Sequence, residues 1–127
     1  GLTKQYGVTV AVGGAMAKRL PGFALLELDR VRVVGRDEPA TPYALLGDEG
    51  VATDPQFIVL AQAHAAMLAA YRAQDWDLAD RLLVDGAALY EAFAIPGLCA
   101  LYRRRVADLA ANPPGEGWDG VFTATEK

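Results

Sequence analysis

Few side chains in this 127-residue sequence have the type and spacing that chemistry requires. His64 is the sole histidine, and Met67 and Leu68 stand three and four residues later, where a second metal ligand would share its helix face. We therefore interpret His64 as a core or groove histidine. Cys99, the sole cysteine, lies in an apolar helical segment, which favours a buried, inert thiol over a nucleophile.

Two further sets of residues resemble binding motifs but lack their defining members. Asp75, Asp77 and Asp80 could suggest calcium, yet the segment has neither the loop glycine nor the terminal glutamate of an EF-hand, so helix capping is favoured. Gly13 and Gly14 precede a short predicted helix without the other residues of a phosphate loop. The chain itself is thus predicted to hold no metal and no cofactor.

Composition argues against several classes of partner. With 16 acidic residues, 12 basic residues and no basic run beyond residues 103–105, a nucleic acid is not expected. A lone cysteine cannot form an internal disulfide, which indicates a cytoplasmic setting. The longest uncharged run, residues 55–71, is short and contains Gln56, Gln62 and His64, so the chain is not expected to insert into a membrane.

The first third of the chain has the periodicity of strands. Val8, Val10 and Val12 alternate with small residues and predict a strand, and residues 15–20 predict a short helix. Three strands with one helix would leave sheet edges unpaired, so this part is expected to belong to a larger sheet.

A predicted hairpin follows. Residues 23–34 are β-rich, but their apolar alternation changes parity, which predicts a bulge or bend near Asp29. Residues 35–39 form the predicted turn, and residues 43–46 the returning strand. Pro42 predicts that this strand lies at a sheet edge, or that its position faces away from the neighbouring strand.

The remainder of the chain has the periodicity of helices. Asp75 or Asp77 is a candidate cap for the second helix, and Pro96 suits the first turn of the third. Three helices with short loops are expected to pack antiparallel. The predicted buried positions are Phe57, Leu60, Ala61, His64, Met67, Leu68 and Tyr71 in the first helix, Leu78, Ala79, Leu82, Leu83, Gly86, Leu89 and Phe93 in the second, and Leu98, Leu101, Tyr102, Val106 and Leu109 in the third.

Part of this helical region resembles a tetratricopeptide hairpin. Residues 67–79, MLAAYRAQDWDLA, are followed by Gly86, and small residues at Ala79 and Gly86 would allow close helix approach while Trp76 fills the turn. Because there is one copy and a solenoid needs several, a packing hairpin is favoured over a peptide-binding groove.

Residues 23–46, FALLELDRVRVVGRDEPATPYALL, resemble the closing β-hairpin of class III adenylate/guanylate cyclase catalytic domains. Members of that family read approximately L-x-x-V-x-V-K-G-x-x-x-P-V-x-V-Y-x-L. Residues 6–12, YGVTVAV, and the helix predicted at 15–20 look like the preceding strand and helix of that family. The resemblance therefore covers about the first 46 residues.

The tail adds a narrower resemblance. Three helices followed by residues 112–122, NPPGEGWDGVF, look like the C-terminal extension of bacterial cyclases whose sensor and transmembrane helices precede the catalytic domain. The resemblance implies a cytoplasmic domain whose parent is anchored in the bacterial inner membrane. Trp118 and Phe122 predict that the tail packs as a short strand or anchored loop, with docking to another chain as the alternative.

The resemblance also implies what this chain lacks. The family's two metal-binding aspartates, its purine-reading residues and its V-N-x-A-x-R helix lie upstream of the segment matched by Gly1, and residues 2–4 look like the end of that helix. The chain is thus expected to be a C-terminal fragment of a homodimeric cyclase. The parent would use Mg²⁺ or Mn²⁺ to convert ATP, with GTP as the alternative, into a cyclic 3′,5′-nucleotide and pyrophosphate.

One family site residue maps inside the chain, the Lys of V-K-G that contacts the triphosphate. Val34 stands there and cannot neutralise a phosphate. Arg36 shares its strand parity and is the first candidate for the missing cation, and Arg32 is the second. The competing interpretation is that both arginines are solvated charges on an exposed hairpin.

The predicted fold class is α+β. A three-stranded piece of a cyclase sheet with one short helix occupies residues 1–47, a three-helix tetratricopeptide-like bundle residues 48–112, and a linker and aromatic tail residues 113–127. Two other functions remain open: a helical interaction module that binds a peptide or partner subunit, with His64 and Tyr71 exposed in its groove, and a degenerate cyclase that acts only as a regulatory half.

Overall fold

The structure, a computed structural model that describes residues 1–32, 35 and 38–123, has short elements first and long helices after them. This mixture of one small antiparallel sheet and several helices agrees with the predicted α+β class. In chain order the elements are α1 (Leu2–Tyr6), β1 (Ala11–Val12), α2 (Gly14–Ala17), β2 (Ala24–Glu27), β3 (Val31–Arg32), β4 (Tyr43–Gly47), α3 (Glu49–Ala52), α4 (Pro55–Arg72), α5 (Trp76–Ala92), α6 (Pro96–Ala111) and β5 (Phe122–Thr123).

Residues 23–46, hereafter the ribbon, contain the predicted pairing of strands. β2 runs antiparallel to β4, with Leu26 opposite Ala44, and β4 also pairs with β1, with Ala11 opposite Ala44. The strand order is β1-β4-β2. Ala44 is therefore the centre of the sheet, and its small side chain is fully buried.

The predicted bulge lies at residues 28–30. Glu27 is paired with Tyr43, and Val31 then exchanges backbone hydrogen bonds with Ala40, so three residues of one strand face two of the other. Such an inserted residue changes which face the following side chains occupy. The bulge thereby buries residues of both parities, as the sequence predicted.

The strand after the turn is central, so the edge position suggested by Pro42 is wrong. Pro42 immediately precedes β4, and its carbonyl accepts the Leu28 N–H at 2.8 Å. A proline contributes an acceptor but no donor, and this position just outside the strand requires only the acceptor.

The elements before the ribbon are shorter than predicted. α1 ends at Tyr6, and Gly7 takes a left-handed conformation with a φ of 70°, so that β1 begins only at Ala11. Val8 is consequently buried while Val10 is exposed, which breaks the predicted alternation. α2 covers residues 14–17 instead of 15–20, and the chain continues in tighter turns in which the Arg19 N–H donates to the Met16 carbonyl and the Leu20 N–H to the Ala17 carbonyl.

The three long helices pack in sequence and antiparallel. Phe57, near the start of α4, meets Phe93 just beyond α5, and Tyr71, near the end of α4, meets Trp76 at the start of α5. The Asp75 side chain accepts the Leu78 N–H and caps α5. In the same way, Cys99 and Arg103 of α6 contact Leu83 and Asp80 of α5 in reverse order.

Most predicted helix positions are buried, while six of them are only partly buried against the core: Ala61, Leu82, Leu89, Phe93, Leu101 and Leu109. In α4 the burial of Ala70 is missed. In α5 the buried residues are Ala79, Leu83, Gly86 and Tyr90, so the burial of Tyr90 is missed and the predicted burial of Leu78 is wrong. Leu78 precedes this four-residue stripe by one position, which turns it about 100° away from the core. Cys99 is buried, as predicted.

The C-terminal tail packs back on the molecule, as its aromatic content predicted. β5 pairs in parallel with β3, with Val31 opposite Phe122. Trp118 contacts the rings of Tyr71 and Trp76 at centroid distances of 5.4 and 5.8 Å. The tail therefore joins the helices to the strand that leads into the ribbon turn.

Candidate functional site

Of the two arginines proposed as triphosphate ligands, the structure describes only Arg32. Arg36, like Val34, lies outside the described residues. Arg32 is in β3, half-exposed, and its Nη2 donates to Asp119 Oδ2 at 3.2 Å. The Val121 N–H and the Arg32 guanidinium lower the pKa of Asp119, so this carboxylate is ionised at neutral pH and would compete with a phosphate for Arg32.

The turn that carries these positions has a glycine where one is required. Gly35 has a φ of 87°, a left-handed conformation that other residues adopt only with strain. Of the described residues, none lies within 4 Å of a Cβ built there.

A buried ion pair lies at the base of the ribbon. Asp29 Oδ2 accepts the Tyr6 hydroxyl at 2.5 Å and Arg105 Nη1 at 2.8 Å, while Oδ1 accepts the Arg30 N–H at 2.8 Å. The side chains of Asp29 and Arg105 are 1% and 11% exposed. Both charges are therefore removed from water and neutralised by each other.

Aromatic rings complete the surroundings of this pair. The Arg105 guanidinium carbon lies 3.9 Å from the ring centroid of Phe122 and 5.4 Å from that of Tyr102, both within cation–π range. The Tyr102 hydroxyl donates to the Leu28 carbonyl at 2.6 Å. We call this group the junction cluster; its members are Tyr6, Asp29, Tyr102, Arg105 and Phe122.

The environment of the junction cluster fixes its protonation. Burial, reinforced by the Asp29 carboxylate, raises the pKa of the Tyr6 hydroxyl. Burial acts to lower the pKa of Arg105, but the Asp29 carboxylate and the Tyr102 and Tyr71 hydroxyls together raise that pKa above its ordinary value. Asp29 already accepts three hydrogen bonds and is closed to solvent, so it is unsuited to act as a general base. The cluster fastens α1, the bulge, α6 and β5 together.

The junction has a second contact point, where α1 meets α6. A Cβ added to Gly7 would lie 2.9 Å from the Gly97 Cα, and the positive φ of Gly7 adds strain to any such substitution. Two glycines thus let the end of α1 lie against the first turn of α6, two helical turns before Arg105.

His64 is a core residue, as one of the two predicted interpretations holds. Its Nε2 lies 2.6 Å from the Glu27 carbonyl oxygen, which can only accept, so Nε2 carries the proton and Nδ1 accepts from the Tyr90 hydroxyl at 2.8 Å. Burial lowers the pKa of His64 to about 4. The ring is neutral at pH 7 and both nitrogens are occupied.

The side chain of Glu27 provides a parallel link between the sheet and α4. The Glu27 carboxylate forms an ion pair with Arg72, and the Glu27 backbone carbonyl accepts the hydrogen bond from His64 Nε2. A cleft of about 250 Å³ lies beside this link, with Ala61 and Leu68 among its lining residues. β2 is therefore held to α4 at both a charged and a neutral contact.

The groove required by a peptide-binding module is filled. His64 and Tyr71 are both 1% exposed. The Tyr102 ring, from the third helix, lies 6.3 Å from the His64 ring and 5.2 Å from the Tyr71 ring. The surface named for that hypothesis is thus part of the core.

Two classes of feature are not found in the part of the chain that the structure describes. No group of three His, Cys, Asp or Glu side chains within residues 1–32, 35 and 38–123 is arranged to hold a metal ion. No helix in the same ranges combines the length and apolarity needed to cross a bilayer.

The sequence analysis missed the junction cluster. Arg105 belongs to the basic run 103–105, but it lies three residues after Tyr102 and so shares the buried face of α6. Asp29 lies at the bulge, and a carboxylate inside an apolar strand segment is itself a signal of a buried partner.

Comparison with known proteins finds no match, whether the chain is compared with models of protein families, with curated proteins or with solved structures.

Proposed function

We propose that this chain is the C-terminal part of a class III nucleotide cyclase catalytic domain, followed by a helical extension that braces it. The single observation that carries the proposal is the ribbon. Its two strands pair antiparallel, with the bulge at residues 28–30 that the change of apolar alternation predicted, and Gly35, at the position of the glycine in V-K-G, has a left-handed backbone conformation.

The chain's own share in the reaction is to shape the triphosphate side of the pocket. Divalent Mg²⁺ or Mn²⁺, held by aspartates of the remainder of the parent, would supply charge neutralisation and activate the ribose 3′-hydroxyl for attack on the α-phosphorus. In this chain Arg36 supplies the cation that Val34 lacks, and Arg32 is the second candidate. A charge-assisted contact of this kind contributes about 1.5–3 kcal/mol.

The helices give this part of the pocket a rigid support. We interpret α4 to α6 as a tetratricopeptide-like bundle that packs outside the active site and presents α6 to the base of the ribbon. Asp29, fixed by Tyr6 and Arg105, anchors the strand that enters the turn. The parent is a homodimer with this part in the cytoplasm and an anchor in the bacterial inner membrane.

The isolated chain tests the claim that the catalytic groups lie elsewhere. Purified residues 1–127 incubated with ATP or GTP and Mg²⁺ or Mn²⁺ are expected to form no cyclic nucleotide, because in the family this chain resembles the metal-binding aspartates lie upstream of the segment matched by Gly1. Cyclic nucleotide formed by pure material would overturn the fragment assignment.

The parent tests the assignment to cyclases. The reading frame upstream of Gly1 is expected to encode two metal-spaced aspartates and an Asn-x-x-x-Arg helix, and their absence would refute the proposal. In that parent, Arg36→Ala is expected to raise KM for ATP by about tenfold or more. The matched control is Arg19→Ala, an exposed arginine outside the turn, which should leave KM unchanged.

A parent that has the metal aspartates but no turnover would support the alternative of a regulatory half. The substitution of the triphosphate lysine by Val34 is the observation that motivates this alternative. Replacing Val34 with Lys should then restore measurable activity.

A further inference from the structure

β3 is held from both sides. On one side Val31 exchanges two hydrogen bonds with Ala40, and on the other the Phe122 N–H donates to the Arg30 carbonyl at 2.8 Å. The tail residue Phe122 therefore pairs with the strand immediately before the turn. Residues 113–123 form what we call the C-terminal strap.

The strap is fixed to the helices by contacts remote from β3. Trp118 packs on Tyr71 and Trp76, and the Gln74 side chain donates to the Gly115 carbonyl at 2.7 Å. Gly120 lies so close to Arg72 that an added Cβ would come within 2.7 Å of the Arg72 Cγ. The helices thus determine where the strap meets β3.

Arg105 contacts both the strap and the bulge. Its guanidinium lies beneath the Phe122 ring and donates to Asp29, two residues before β3. Lysine would keep the charge but not the planar group that stacks on a ring while holding a carboxylate. One side chain of α6 therefore contacts both the strap and the residues that lead into β3.

From this arrangement we propose that Arg105 is a positioning residue: with the strap, it holds β3, and hence the entrance to the ribbon turn, at a position dictated by the helices. The consequence for catalysis in the parent rests on the proposed cyclase function, whereas the coupling itself does not. If the ion pair only stabilised the fold, weakening it would speed amide hydrogen exchange in all regions alike.

Amide hydrogen exchange on residues 1–127 distinguishes these roles. Arg105→Lys is expected to speed exchange at the amides of Val31, Ala40 and Phe122 by about tenfold, with amides of α4 and the Leu45 amide unchanged. Arg104→Lys, an exposed neighbour on the same helix, is the matched control and should change none of them. Equal acceleration in α4, or none at Val31 and Ala40, would overturn the proposal.

A second variant tests the coupling at a distance and does not depend on the ion pair. Trp118→Ala removes ring contacts with α4 and α5, and it should also speed exchange at Phe122 and Val31. Unchanged exchange at Val31 while Phe122 accelerates would show that the strap does not position β3, which contradicts the proposal.

The parent provides the functional readout. If Arg105 positions the turn that meets the triphosphate, Arg105→Lys should raise KM for ATP several-fold with a smaller change in kcat, and the Arg104→Lys parent should match the wild type. An unchanged KM would overturn the role in substrate binding. A wild-type parent without cyclase activity would refute the proposed function but leave the exchange result valid.

Discussion

Two arginine–aspartate pairs on α6 have similar geometry and opposite surroundings. Arg105 donates to Asp29 at 2.8 Å with side chains 11% and 1% exposed, and Arg103 donates to Asp80 at 3.0 Å with side chains 53% and 42% exposed. The first pair joins the helices to the sheet, and the second lies between two helices at the surface. Location, and not the identity of the residues, decides how much each contributes.

Removing one charge of the buried pair should have the largest effect on stability. Arg105→Met leaves the Asp29 carboxylate uncompensated inside the protein, and the free energy of unfolding is expected to fall by about 3–5 kcal/mol. Urea denaturation followed by circular dichroism measures it. A loss below about 1 kcal/mol would mean that Asp29 is reached by water or another cation.

His64, unlike the buried ion pair, is a buried titratable group that is neutral. The pKa of His64 is about 4 in the folded state and 6.5 in an unfolded chain, so the unfolded chain binds the extra proton as pH falls. The stability contributed is complete above pH 6.5 and is lost between pH 6.5 and 4, by about 3 kcal/mol in total.

The measurement is the pH dependence of the free energy of unfolding of the wild type minus that of His64→Gln. The glutamine amide can donate to the Glu27 carbonyl but does not titrate. Carboxylates contribute equally to both proteins, so the difference isolates the histidine. A difference that stays constant from pH 7 to pH 4 would contradict the neutral, buried histidine.

The contact between Gly7 and Gly97, where α1 meets α6, should have a smaller effect on stability. Gly7→Ala forces a methyl group against Gly97 in a left-handed conformation and is expected to destabilise the protein by about 1–3 kcal/mol. Gly13→Ala is the matched control, because nothing lies within 4 Å of its added Cβ. Similar melting temperatures for the two variants would show that α1 is not pressed against α6.

The surface pair should give the smallest effect. Arg103→Met removes a solvent-screened interaction and is expected to change the free energy of unfolding by no more than about 1 kcal/mol, and by less in high salt. Denaturation at low and high salt measures this change. A loss as large as that of Arg105→Met would remove the distinction between the two pairs.

The sequence predicted the local features of the fold better than its long-range contacts. The parity change between Leu28 and Val31 was sufficient to predict the bulge, because strand periodicity is a property of neighbouring residues. The helix faces followed from spacing in the same way. The shortness of β1 could not be predicted from the alternation of Val8, Val10 and Val12, since α1 ends in a left-handed Gly7 and β1 begins only at Ala11.

The junction cluster shows the limit of local reasoning about a site. Asp29 and Arg105 are 76 residues apart in sequence, and nothing in the local pattern around either residue identifies the other as its partner. The three-residue spacing from Tyr102 is sufficient to put Arg105 on the buried face of α6, but no pattern within α6 indicates which strand that face meets. For Arg32 the reverse holds: the sequence identified it as a candidate ligand, and the structure adds an ion pair with Asp119.

The most direct test of the account is a double-mutant cycle on each pair, comparing Asp29→Leu and Arg105→Met with Asp80→Leu and Arg103→Met. If the buried pair fastens the helices to the ribbon, the coupling energy between Asp29 and Arg105 should be about 2–3 kcal/mol, against less than about 0.5 kcal/mol for the surface pair. Equal coupling energies would contradict the account, because the sheet and the helices would then not be joined through the junction cluster.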